Sequence, residues 1–315
     1  MRLPLIFAAL ICALAYSVSG NAMPDVDAGK GNPALTIRVE GAAWGGASKD
    51  AIQTVLYSVA DVLMPQLPNR LGAPIVVSHT DSNPVALYER GPNGEYLVRL
   101  HASATNWHLY VYEFAHELCH LMSNYRENVT EGTSKHNQWL EETLCETASL
   151  FALKQLAANW AVSPPSAEWS PRAEKLQDFF DLLIGERHRQ LPPDLPFALW
   201  LRDNEAQLRL NPYLREKNDL MANLLLPLFE QQAGNWDSLR YLNLDPTDAH
   251  SSLEHYLLHW YQNAPPEHRP FVAGVLGLLR NPDPDAVGAA AGAATEFSGS
   301  SGRAGHSGPL RSSGF

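Results

Sequence analysis

The chain has 315 residues, 45% of them hydrophobic, which is enough for one large or two smaller domains with their own cores. Its formal net charge is −11 and no basic patch stands out, so nucleic acid is excluded as the expected partner.

The chain opens with Arg2 and an apolar run to about Tyr16. Small residues follow, with Gly20 and Ala22 placed for cleavage before Met23. This pattern predicts a signal peptide over 1–22 and a secreted or periplasmic protein. The run is short for a membrane span, so no stable membrane insertion is expected after cleavage; the alternative is an uncleaved anchor. Ala9-Leu10-Ile11 before Cys12 lacks the small residue expected beside a lipidated cysteine.

Residues 23–33 are polar and expected to be loose. Alternation predicts a strand at 35–39, and helical spacing in Ile52, Val55, Leu56, Val59, Val62 and Leu63 predicts a helix over 51–64, ended by Pro65. Further strands are expected at 74–78 and 95–100, the latter after the Pro92-Asn93-Gly94 turn.

Trp107, Tyr110, Val111, Phe114, Ala115, Leu118, Leu121 and Met122 recur at three- and four-residue spacing, the stripe of an amphipathic helix. On its other face lies His116-Glu117-Leu118-Cys119-His120. Residues four apart on a helix share a face, about 6 Å apart along the axis, so His116 and His120 can hold one metal ion. Glu117 sits about 100° round the helix, beside the metal, where it can take a proton from water as a general base. Glu113 shares the histidine face, either supporting a ligand or as an exposed charge.

Residues 123–138 are polar, with Gly132 and the sequon Asn128-Val129-Thr130, and are expected to form a surface connection; His136 either borders the cleft or is solvated. A second helix opens at Trp139, burying Leu140, Leu144, Ala148 and Phe151. Glu142 and Glu146 lie four apart on its other face. Two histidines and one carboxylate are a known set for one catalytic Zn2+. Of the pair Glu141 and Glu142, Glu142 is preferred as ligand, because it lies opposite the apolar stripe and has a partner one turn on. Glu146 is then the candidate to orient a histidine through its second ring N–H.

H-E-x-x-H followed by W-L-x-E-x-x-x-E resembles the gluzincin metallopeptidases, the clan of thermolysin and the zinc aminopeptidases. The resemblance covers about forty-five residues well. It implies Zn2+ at His116, His120 and Glu142, Glu117 as base, Glu146 orienting a histidine, and a peptide or protein substrate. It also implies a zincin-like α+β fold: a mixed lobe with a small sheet and the metal helices, facing a mostly helical lobe. In such enzymes the strand before the metal helix pairs with extended substrate, so 97–103 either does this or is an ordinary strand. A metzincin is excluded, because Ser123 and Arg126 stand where that group needs Gly and then His or Asp. No Gly-x-Met-x-Asn exopeptidase signature precedes the metal helix.

Cys119 and Cys145 each follow a proposed ligand by three residues. They are either a disulfide clamping the two helices or a pair of buried thiols.

Pro164, Pro165 and Pro171 mark a boundary. Helices are then expected at 172–185, 197–209, 215–232, 251–262 and 267–280. The domains read as 23–162, 163–281 and a Gly/Ala/Ser-rich, disordered tail at 282–315. Tyr241, His250, His255, Tyr256 and His259 are the available oxyanion donors, with no basis for choosing among them. His255 and His259, four apart, are a weak second metal pair. Besides the hydrolase, the rival is an exported zinc-binding protein without turnover.

Overall fold

A computed structural model describes residues 35–65, 71–125 and 135–280. The signal segment, the residues to 34, Asn128, Gly132 and the tail after 280 lie outside the described residues. The fold is α+β, a small mixed sheet followed by a mostly helical C-terminal part. The described residues belong to one compact unit.

The strands are β1 (Ile37–Val39), β2 (Ile75–His79), β3 (Val85–Arg90) and β4 (Tyr96–Leu100), in the order β1-β2-β4-β3. β1, β2 and β4 run parallel, and β3 pairs antiparallel with β4. β3 has no counterpart in the sequence reading. Its burial barely alternates: Ala86 is buried and Val85 exposed. The turn before β4 nonetheless implied a hairpin partner, and Gly94 takes the left-handed φ of +83° that the turn needs.

Of the two readings of 97–103, a substrate-pairing edge or an ordinary strand, the sheet order supports the ordinary strand. β4 lies between β2 and β3, and beyond it the His101 and Ala102 N–H groups donate to Glu113. Its main chain is therefore already paired; the outer strand on this side is β3, where the Ala86 N–H bonds Glu117 and the Leu87 carbonyl accepts from the Tyr125 hydroxyl.

The helices are α1 (Lys49–Leu63), α2 (Trp107–Met122), α3 (Gln138–Val162), α4 (Ala173–Ile184), α5 (Phe197–Leu210), α6 (Arg215–Glu230), α7 (Leu253–Asn263) and α8 (Arg269–Arg280). They match the expected helices to within two residues at their ends. Ser48 caps α1 by accepting from the Ala51 N–H at 3.2 Å. Among the described residues no helix is long and apolar enough to cross a membrane.

α3 is central. It packs on α2 on one side and on α4 and α6 on others, and Trp139, Leu144, Leu150 and Leu153 are all fully buried. One continuous core runs from Ile37 through α2 and α3 to Leu279. The Pro-rich stretch after residue 162 is therefore a chain corner, with no gap in the core beneath it.

Glu95 locks the sheet end. It accepts from the Asn93 side chain and backbone N–H, both at 2.9 Å, and from Arg38 Nη2 at 3.0 Å. These bonds, led by the Asn93 side chain, hold its pKa at about 2, against an ordinary 4.5. A depressed carboxyl stabilises the fold above its unfolded value, and that contribution is lost as pH falls from about 4.5 towards 2. In denaturation curves taken across this range, Glu95→Gln should be less stable than wild type near neutral pH and converge with it near pH 2.

Candidate metal centre

α2 and α3 bring the expected ligands together. His116 Nε2 lies 3.3 Å from Glu142 Oε2, and His120 Nε2 lies 3.7 Å from the same oxygen. Ligands 2.0–2.2 Å from a tetrahedral ion stand about 3.3–3.6 Å from one another, so both imidazole-to-carboxylate distances are close to those of ligands sharing one ion. Burial works against charge on His120, yet Glu142 and Glu141 hold its pKa well above the ordinary value. Burial likewise works against ionisation of Glu142, and the two histidines hold it well below the usual carboxylate range. This donor set fits a divalent cation.

Three groups in the described residues have ligand atoms close enough to hold a metal: His116–His120–Cys145, Glu186–His188–Asp219 and Asp245–Asp248–His259. In the first, Cys145 is the weaker third donor beside Glu142. Burial, then its contact with Cys119, pushes the thiol pKa well up, while Glu142 is ionised. His255 stands apart from the third group, bonded to Ser252 at 3.0 Å, so the weak second pair of His255 and His259 is not formed.

The residue orienting a histidine is Glu141. Its Oε1 lies 2.9 Å from His120 Nδ1, which leaves Nε2 for a cation. Asn243 Nδ2 donates to Glu141 Oε2 at 3.0 Å, and the Tyr256 hydroxyl donates to Asn243 Oδ1 at 2.8 Å. Lys135 Nζ lies 3.7 Å from Glu141 Oε2. Asn243 has a φ of +60°, a left-handed conformation asparagine tolerates.

Glu146, expected in that role, touches neither histidine. It accepts from the Tyr112 hydroxyl at 2.5 Å and pairs with buried Arg189 at 2.9 Å. Glu113 is a brace: its Oε2 accepts from the His101 and Ala102 N–H groups, each at 2.8 Å, tying the exit of β4 to α2. Cys119 and Cys145 are free and buried, so the two helices carry adjacent thiols and no disulfide.

His116, Glu117 and Glu142 line a cavity of about 290 Å³ with Asn83, Tyr213 and Arg215. Its walls come from the loop before β3, from α2 and α3, and from the start of α6. Glu117 is 4% exposed; burial raises its pKa, the histidines oppose the shift, and the Ala86 N–H bonds it.

None of the five expected oxyanion donors lines this cavity. Tyr256 is committed to Asn243, and His259 Nδ1 lies 2.8 Å from Asp248. The Tyr241 ring lies tilted beside His268, and the His250 ring meets His136 edge-on. His136 accepts from Arg209 at 3.0 Å and is also outside the cavity wall. Tyr213 and Arg215 are the residues that the sequence reading missed. They stand some seventy positions after Glu142, and no local pattern links them to it.

No known protein family, curated protein or solved structure matches this chain.

Two conservative variants separate the two carboxylates. Glu141→Gln should lower metal affinity by about 10–100-fold in a competitive chelator titration, and should also cost stability because it removes the carboxylate beside buried Lys135. Glu146→Gln leaves buried Arg189 short of a partner, and should cost about 3–5 kcal/mol in denaturant unfolding while leaving metal affinity nearly unchanged.

Proposed function

We propose that this chain is an exported, zinc-dependent hydrolase of peptide bonds with a zincin-like, gluzincin-type scaffold. The observation that carries this reading is the approach of His116 Nε2 and His120 Nε2 to within 3.7 Å of one oxygen, Glu142 Oε2, at a cavity also lined by the buried carboxylate of Glu117. Export rests on the leader-like segment 1–22.

A zinc ion held by those three residues supplies Lewis acidity to a scissile carbonyl and makes water more acidic. Glu117 is the base that takes the proton from the attacking water and returns it to the leaving amine. Its raised pKa suits it to both halves of that transfer. Glu141 holds His120 in the tautomer that presents Nε2.

Tyr213 is the hydrogen-bond donor for the developing oxyanion. Its hydroxyl accepts from Gln138 Nε2 at 2.8 Å, which fixes the phenol and leaves its own O–H proton free to donate into the cavity. Partial desolvation, then Glu142, raises the phenol pKa, and the phenol is in any case protonated at neutral pH.

Cleavage of a random peptide library by the zinc-loaded mature protein, abolished by chelator, tests the reading; no cleavage at any zinc loading sinks it. Glu117→Gln should keep its metal and lose about 10²–10⁴-fold in kcat. Tyr213→Phe should lose about 10²–10³-fold in kcat with KM little changed.

A further inference from the structure

The cavity contains five carboxylates besides its hydrogen-bonding neutral groups, and each is already committed. Glu142 faces the histidines and Glu117 is the base. Glu113 accepts from two backbone N–H groups, and Glu146 is held by Tyr112 and Arg189. Asp219 lies 2.9 Å from His188 Nε2 and 3.3 Å from Arg189.

Arg215 is different. It is the one arginine or lysine among the described residues of the wall. Its Nη2 donates to the Tyr112 hydroxyl at 3.0 Å, and its Nε is 3.9 Å from Asp219, beyond a hydrogen bond. A guanidinium has five N–H donors, and 70% of this side chain is exposed. Tyr112 in turn donates to Glu146, so the fork is aimed by a fixed chain of groups.

Arg215 is also the first residue of α6, a sixteen-residue helix. The positive end of a helix dipole disfavours a cation and favours an anion. A guanidinium and a helix N-terminus thus present positive potential from one place on the wall.

We propose that Arg215 anchors a carboxylate of the substrate, so that the site acts on peptides presenting a carboxylate close to the scissile bond. This deepens the hydrolase reading above and rests on it. The shared chemistry is a planar carboxylate taken by a two-pronged guanidinium. Its source is either a free chain end or an acidic side chain. The small cavity favours a short segment between bond and anchor.

The experiment uses three N-acetylated tetrapeptide mixtures randomised without aspartate or glutamate: free acids, C-terminal amides, and amides with a single glutamate fixed at one position. Zinc-loaded Glu117→Gln protein, with and without Arg215→Gln, is immobilised, and retained peptides are counted by mass spectrometry. The same mixtures are given to wild-type and Arg215→Gln enzyme for kinetics.

Carboxylate-bearing peptides should be retained over plain amides. Arg215→Gln should reduce that retention roughly 10–100-fold, with the loss falling on KM, while plain amides are unaffected. Arg215→Lys, which keeps charge without the fork, should lose less than Arg215→Gln. Preference for free acids identifies the chain end, and preference for the glutamate amides identifies the side chain. Equal loss for all three mixtures marks a structural role and overturns the proposal, as does no loss at all. If carboxylate-selective retention depends on Arg215 but wild type cleaves nothing, the anchor stands and the hydrolase reading fails.

Discussion

The site depends on one carboxylate oxygen facing two imidazole nitrogens across the contact between α2 and α3. Neither helix could supply that arrangement alone. The histidines need a turn of helix between them, and the carboxylate must arrive from a second element at a matching depth. The packing that fixes the depth is rigid: Leu118 and Leu144 are fully buried near the ligands, in a core that continues on both sides of them. Ligand placement is therefore a property of the core, which is the condition for a cation site held to within a fraction of an ångström.

The helical C-terminal part contributes none of the three ligands, yet it supports them. Asn243 and Tyr256 reach back to Glu141, which holds His120. Arg189 and Asp219 form the other buttress, on Glu146 and Tyr112. Tyr213 and Arg215, at the start of α6, then close the cavity in front of the ligands. The sheet-bearing part places the three candidate ligand atoms, and the helical part supports His120 and forms the cavity's polar wall.

Much of this was legible in the residue pattern, for physical reasons. Apolar spacing along α2 and α3 is dense, and it oriented His116, His120 and Glu142 on the faces they occupy. Glu146 was misjudged because a shared helix face says nothing of depth: it lies about 6 Å further along the axis than Glu142, beyond reach of either imidazole. Glu141, about 100° round from Glu142, looked like a rival ligand, and in the structure it meets the far nitrogen of His120. β3 was missed because only Ala86 gave it a buried position. Tyr213 and Arg215 join the site through tertiary packing, which no local spacing records.

The buried thiols carry a consequence of their own. Cys119 and Cys145 sit one turn beyond His116 and Glu142, sealed between the same two helices. Small disulfides or alkylating reagents can meet these sulfurs only in conformers where the helices have parted. That parting also pulls the carboxylate from the imidazoles. Sulfur reactivity and separation of the candidate ligand atoms are thus one opening event, observed from its two ends.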